Sequence, residues 1–322
     1  MATVNTNTNA TSGYTEAFYN SYTAGYEHVL QEKKPQFQGL VREERIEGEN
    51  ESYDFLGTIE LDQKTSRFAD IPIEDMTHNR RWISPVWYRK GIFVDKEDDI
   101  AMHTDPTSDY IQALAKGVIR KENDVIIDAF QADVKGGKNP GDDTCSIVTD
   151  SLYTTAATTD SRIIAHDVQS DFTAGGTSAG LTIEKLILAR QMLIELENDP
   201  DDLFYIAVNP KQMSDLLREA ETQSIDTNII RSLVAGVVNE YMGFRFVVTN
   251  NVTAIASGDA DSDTTVYECP VWTKEGMLFA RHESPIFNVD WLPRKQIWQI
   301  SARVGMQAIR MDENKVGFIE CI

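Results

Sequence analysis

Two glycine-rich stretches are the first places to look for chemistry, because successive glycine amides can cradle a phosphate. "KGGKNPGDD" (135–143) lacks the second Gly-Lys that a phosphate loop needs, and its closing aspartates repel an anion. "AGGTSAG" (174–180) runs into a helical stretch and so offers an anion the N-terminus of a helix; a plain connector explains the same residues. "DADSDTTVYE" (259–268) starts like a calcium loop, with Asp259, Asp261 and Asp263 at alternate positions. Its sixth position is Thr264 instead of Gly and its twelfth is Pro270 instead of Glu, which excludes an EF-hand and leaves a solvated loop tip or weak cation binding. His28, His78, His103, His166 and His282 stand singly, with no second ligand at helical or hairpin spacing. No phosphate-loop, zinc-protease, nucleophile-elbow or dinucleotide motif is present. The residues predict no catalytic centre, no bound metal and no cofactor.

One cluster remains. "RRWISPVWYRK" (80–90) interleaves Arg80, Arg81, Arg89 and Lys90 with Trp82, Trp87 and Tyr88. That mixture suits a single-stranded nucleic-acid platform, where bases stack on aromatic rings. It also suits a protein interface, where Trp, Tyr and Arg carry most of the binding energy. The whole chain holds 51 Asp and Glu against 30 Lys and Arg, a net charge of -21 that repels nucleic acid and anionic membrane, so the interface reading is favoured. Arg42, Glu43, Glu44 and Arg45 place both signs of charge nearby, as do Arg80 and Arg81 beside "IEDM". These residues, with Trp82, Trp87 and Tyr88, are the predicted inter-subunit contacts.

The elements that must position them follow from periodicity. Residues 1 to about 38 are polar with recurring Tyr14, Phe18, Tyr19, Tyr22 and Tyr26, and read as an arm. From Gly39 to Asp99, "LVREERI", "YDFLGTIEL" and "RRWISPVWYRKGIFV" read as strands of one long hairpin around a charged middle, too thin to bury both faces alone. Asp105-Pro106 opens a helix of about thirty residues, ~45 Å, that Gly136-Gly137 should stop. Its stripe is Ile111, Leu114, Val118, Val125, Ala129 and Phe130. A second helix runs from Thr182 to the break at Asp199-Pro200. "LFYIAV" is a buried strand, Asn209-Pro210 opens a third helix, and Gly243 ends a further helical stretch before the strand Phe244 to Val248. Trp298, Ile300, Ala302, Val304, Met306 and Ala308 alternate with polar or small residues, which predicts a long strand with one buried face; "VGFIECI" is a last strand. Cys145, Cys269 and Cys321, odd in number and without a C-x-x-C pair, fit a reduced site of synthesis. No signal peptide and no membrane span is legible.

This order of elements resembles the major capsid proteins of tailed bacteriophages, the Hong Kong-type α+β fold. The similarity is carried by "RRWISPVWYRKGIFVDKEDD" leading through "DPTSDYIQALAKGVIRKENDVIIDAF", by "VNEYMGFRFVVTNNV" and by "VGFIECI". The resemblance implies an N-terminal arm (1–38), an extended hairpin loop with flanking strands (39–104) and a peripheral domain with a spine helix (105–200). It further implies an axial domain (201–270), long peripheral strands (271–311) and a terminal axial strand (312–322). It implies self-assembly into hexamers and pentamers of an icosahedral head, with non-specific contact to packaged DNA and no membrane. A separate scaffolding protein, a portal and a decoration protein are optional further partners, since no charged helical scaffold precedes the arm. The location implied is the virion, after synthesis in the host cytoplasm. Lys64 near the hairpin tip invites a cross-linking role, but an exposed lysine is the plainer reading. The alternatives are an encapsulin-type nanocompartment shell and, in a different class, a soluble α/β ligand binder or enzyme using the "AGGTSAG" junction.

Overall fold

The computed structural model describes residues 35–95 apart from 58, 60, 68, 69, 72, 74 and 77, together with 107–145, 152–153, 162–168, 179–196, 198–223, 240–256 and 265–322. The arm before Pro35, the Asp105-Pro106 cap, a strand near Ile147, the helical stretch before Gly243, the aspartates 259–263, His28 and His103 lie outside these residues. The described chain forms two units, one built from 35–86, 121–282 and 306–322, the other from 87–120 and 283–305.

In the larger unit, "LFYIAV" becomes the strand Phe204–Val208, buried at all five positions, as a strand covered on both faces must be. It pairs in parallel with Phe244–Val248 and antiparallel with Thr265–Thr273, which in turn pairs with the terminal strand Val316–Cys321. The helix Ile183–Glu195 packs Leu186, Leu188, Ala189, Met192 and Leu193 against this sheet. Thr182 caps it by accepting from the Lys185 amide at 3.3 Å. At the start of Pro210–Gln223 the Asn209 amide donates to Gln212 Oε1 at 2.9 Å, the returning half of a capping box.

Gly243 does adopt a left-handed conformation (φ 83°), but it caps no helix. With Met242 (φ 53°) it forms the two-residue turn of a hairpin that pairs Tyr241 with Phe244, the positive-φ pair that suits the twist of the flanking strands.

The long hairpin also differs from the expectation. Glu51–Leu56 pairs with His78–Ile83 over six residues, and that small sheet continues to Val134–Gly136 and Asp143–Cys145. Arg42–Arg45 leaves it to run parallel with Leu278–Arg281. Two breaks explain this. Gly48 turns the chain at φ 100°, and Pro85, without an amide proton, separates His78–Ile83 from Val86–Asp95.

The long helix is Thr107–Gln131, 25 residues and about 37 Å, with Asp109 in its first turn. It stops well before Gly136-Gly137. Buried Arg310 donates to the carbonyls of Phe130 (2.6 Å) and Ala132 (2.7 Å), satisfying the helix end, and Val134 then enters the hairpin core beside Ile46, Ile83 and Ile309. Trp272 is fully buried among Phe37, Phe130 and Tyr205, and its Nε1 donates to Leu40 O.

In the smaller unit, the far part of Met277–Leu292, the first part of Ile297–Arg310 and Val86–Asp95 lie side by side as a sheet. Ile92, Val94, Phe287, Ile300 and Ala302 face Tyr110, Ile111 and Leu114 of the long helix. The alternation predicted from Trp298 onward holds from Ile300 to Arg303, whereas Trp298 itself, expected on the buried face, is exposed and packs against Trp291. Beyond it, within the larger unit, both faces are buried, which is why Ile309 and Arg310 are covered as well.

Candidate assembly surface

The base of the hairpin is tied to its own subunit. Ile83 is fully buried, Trp82 Nε1 donates to Gly137 O at 2.9 Å, and Arg81 forms a nearly buried ion pair with Glu313. Arg80 grips Asp54 through two parallel hydrogen bonds of 2.5 and 2.8 Å and lies 5.6 Å from the Trp82 ring centre. That guanidinium holds the Asp54 carboxyl below the usual carboxylate range. On the neighbouring edge strand Arg42 pairs with Glu44, whose other oxygen accepts from the Tyr53 hydroxyl at 2.7 Å, and Glu43 accepts from the Gly39 amide at 2.9 Å. Burial, then the Glu44 carboxylate, pushes the Tyr53 hydroxyl pKa up. Of the predicted contact residues, then, Arg42, Glu43, Glu44, Arg80, Arg81 and Trp82 all have partners inside the subunit; Arg45 lies on the same edge strand.

Past the base the picture reverses. Between Leu56 and His78 the described residues make no strand, and the side chains of Leu56, Ile59, Leu61, Ile71, Ile73 and Met76 are exposed, Leu61 by 96% and Ile73 by 92%. Exposed single leucines are ordinary, but six large aliphatics on one protruding connection form the kind of patch that marks an interaction site. Sequence reasoning missed them. The signal was there in "TIELD" and "DIPIEDM", aliphatics alternating with acids, and composition alone hid it behind the charges. Lys64 is exposed on the same stretch.

Trp87 stands on the smaller unit's sheet, 49% exposed. A Cβ on Gly305 would come within 3.1 Å of its ring, so the glycine makes room for the indole. Tyr88, on the opposite face of that strand, is half-buried.

Of the rival site, the "AGGTSAG" junction, only Ala179 and Gly180 lie among the described residues, and both turn their carbonyls to a cation. Its last carbonyls, Ala179 O and Gly180 O, accept from Lys185 Nζ at 2.8 and 2.9 Å, together with His166 O and Glu320 O. Burial lowers the pKa of this ammonium. The helix amide of Ile183, which an anion would need, already donates to Glu219 Oε2 at 2.8 Å. His166 Nδ1 lies 3.1 Å from Glu320 Oε2, His282 Nδ1 is 3.0 Å from Ile46 O, and His78 is exposed. Among the described residues no group of three His, Cys, Asp or Glu side chains is placed to hold a metal.

The fold matches solved capsids along nearly its whole length. The capsid of cyanophage Pam1 superposes with a TM-score of 0.69 at 10% identity, covering 94% of this chain and 96% of that one. The capsid of Ralstonia phage GP4 gives 0.65 at 10% identity over 100% and 98%, and that of cyanophage P-SCSP1u 0.63 at 13% identity over 94% and 93%. No curated protein sequence matches. The profile of the phage capsid protein family matches residues 14–322, and the chain belongs to that family. It is a major capsid protein of the virion, a structural subunit that joins identical copies to form the head shell.

Proposed function

We propose that this subunit builds an icosahedral head of hexamers and pentamers around the double-stranded DNA of a tailed phage, and that its hairpin tip, residues 57–77, is the part that lies on a neighbouring copy. The observation that carries this reading is the row of exposed aliphatics at the tip of a hairpin whose base is fastened at home by Arg81, Trp82 and Ile83. Arg42, Glu44, Arg80, Arg81 and Trp82 serve the contact by holding the hairpin in place, and Trp87 and Tyr88 by touching the neighbour. The sheet around Phe204–Val208 is the axial domain, and the long helix with the long strands the peripheral one. The acidic chain meets packaged DNA only non-specifically, performs no catalysis, and is made in the host cytoplasm, with a scaffolding protein, portal and decoration protein as separate chains. Electron microscopy and sedimentation of the purified protein test this. Shells, capsomers or tubes are expected; a protein that stays monomeric under all assembly conditions would overturn it.

A further inference from the structure

Two thiols stand side by side in the core of the larger unit. Cys269, on the strand Thr265–Thr273, and Cys321, on Val316–Cys321, are both free and fully buried. The strands pair antiparallel with Cys269 opposite Ile319 and Cys321 opposite Tyr267, so the cysteines are diagonal neighbours on one face of the sheet. The Cys269 thiol hydrogen-bonds to the Cys321 sulfur, and the Lys185 ammonium lies near both. That hydrogen bond and burial push the Cys269 thiol well up. Burial acts to raise Cys321 as well, but the hydrogen bond from Cys269 and the charge of Lys185 bring it below the ordinary thiol range. A single buried cysteine is an ordinary core residue; a pair in contact beside a buried cation has the parts of a redox couple.

We infer that Cys269 and Cys321 are an oxidation site, which hydrogen peroxide converts to a disulfide that locks the strand Val316–Cys321 to Thr265–Thr273. The Cys321 thiolate attacks one peroxide oxygen: an S–O bond forms, the O–O bond breaks, and the other oxygen leaves as water with the proton the thiol gave up. The Cys269 sulfur then attacks the sulfenic sulfur of Cys321. The S–S bond forms, the S–O bond breaks, and a second water leaves with the Cys269 proton. Two thiols and one peroxide become one disulfide and two waters. Peroxide is hardly larger than water and reaches the pair during local openings of the sheet, which keep bulkier disulfide reagents out. Diagonal neighbours stand ~7–8 Å apart at Cα, just beyond the ~6.8 Å that a disulfide spans, so closure draws the strands together by about 1 Å. The strand it fastens lies inside the sheet, between Thr265–Thr273 and Ile163–Ile164, and the bond closes a loop of about fifty residues. Oxidation suits a head made in a reducing cytoplasm and released into an oxidising medium. That course is part of the proposed function, whereas the chemistry belongs to the single subunit.

The test uses the full-length, unassembled subunit, reduced, freed of reductant, exposed to hydrogen peroxide, then alkylated in urea and digested with trypsin. Mass spectrometry is expected to find the peptide Phe246–Lys274 joined to Val316–Ile322, a pair that dithiothreitol separates. Cys269→Ser should leave Cys321 as a sulfenic acid that dimedone traps, whereas Cys321→Ser should give neither the joined pair nor a trapped acid at Cys269. The melting temperature should rise by ~5 °C on oxidation, as a loop of this size implies for a chain of this length, and return on reduction. Peroxide that leaves both thiols reduced, carries them to sulfinic acid without joining them, or joins either one to Cys145 would overturn the site. A joined pair with an unchanged melting temperature would overturn the lock. No shell is needed for any of these measurements, so their outcome is independent of whether the subunit assembles.

Discussion

The hairpin tip and the cage around Lys185 place residues in opposite wrong environments. At the tip, leucine and isoleucine stand in water; in the sheet module, the Lys185 ammonium is 0% exposed and lies near Cys269 and Cys321. A buried charge costs several kcal/mol unless its hydrogen-bonding capacity is met, and the subunit meets it with four carbonyls at 2.8–3.0 Å. Nothing in the described subunit plays that role for Leu61 and Ile73. One region is complete within a single chain and the other is not, so folding and assembly rest on different residues and can be damaged separately.

The largest effect should come from the complete region. Lys185→Met removes the donor shared by four carbonyls, of which His166 O keeps the Ala179 amide and Ala179 O the Ile322 amide, and no longer ties Ala179–Gly180 or the terminal strand to the helix. A loss of about 3–5 kcal/mol is expected for breaking such a buried charged network, read by denaturant unfolding of the unassembled subunit. A Met variant within ~1 kcal/mol of wild type would show the cage to be incidental.

The tryptophans sharpen the contrast within one stretch of chain. Trp82→Ala removes a half-buried indole, its hydrogen bond to Gly137 O and its contact with Arg80, so the isolated subunit should lose roughly 2 kcal/mol. Leu61→Ser with Ile73→Ser should leave subunit stability within about 0.5 kcal/mol, as surface changes do, while shells fail to form. Measuring melting and assembly on the same preparations separates the two. A tip variant that assembles at the wild-type concentration would remove the tip from the contact.

How far the sequence leads depends on whether a signal is local. Phe204–Val208, the third helix with its Asn209-Pro210 start, and the period-two run from Ile300 to Arg303 were legible because pattern and cap lie within a few residues. The partner of Arg42–Arg45 was not, since parallel pairing with Leu278–Arg281 joins positions more than two hundred residues apart and leaves no local mark. The early end of the long helix was hidden for the same reason, because the group that satisfies it, Arg310, comes from the far end of the chain. Trp82 and Trp87 look equivalent in sequence; only the positions of Gly137 and Gly305 separate them. The aliphatics of the tip were visible as letters but not as exposed ones.

A smaller effect should follow pH. Glu219 Oε2 accepts from the Ile183 amide, and burial, followed by its hydrogen bond with Glu184, pushes its pKa from 4.5 to about 8. The folded state therefore favours the protonated acid. The contribution is fully present below about pH 4.5, falls as pH rises toward about 8, and is level beyond that. Since the pair is half exposed, the loss should be on the order of 1–2 kcal/mol. Thermal melting of the unassembled subunit across this range should show the decline, and Glu219→Gln should flatten it; an unflattened curve would place the titration elsewhere.

The smallest effect belongs to the exposed pair at the root of the hairpin. Asp54 and Arg80 meet in water, so Asp54→Asn should leave subunit melting unchanged. Any consequence should appear in the shell, where a hairpin no longer gripped by Arg80 presents its tip less steadily. Because the Asp54 pKa is depressed, the grip is present above the ordinary carboxylate range and is lost only as pH falls through the lowered value, so acid below that ordinary range should copy the mutation in wild-type shells, and mild acid should not. Salt should copy it too, since the Debye length shrinks from ~10 Å at about 0.1 M to ~3 Å at about 1 M. Wild-type and Asp54→Asn shells should thus differ in urea resistance at low salt and converge at high salt. If the difference persists at high salt, the pair acts through hydrogen-bond geometry and not through charge; if no difference exists at low salt, the pair does not set the hairpin's position, and the base is held by Arg81, Trp82 and Ile83 alone.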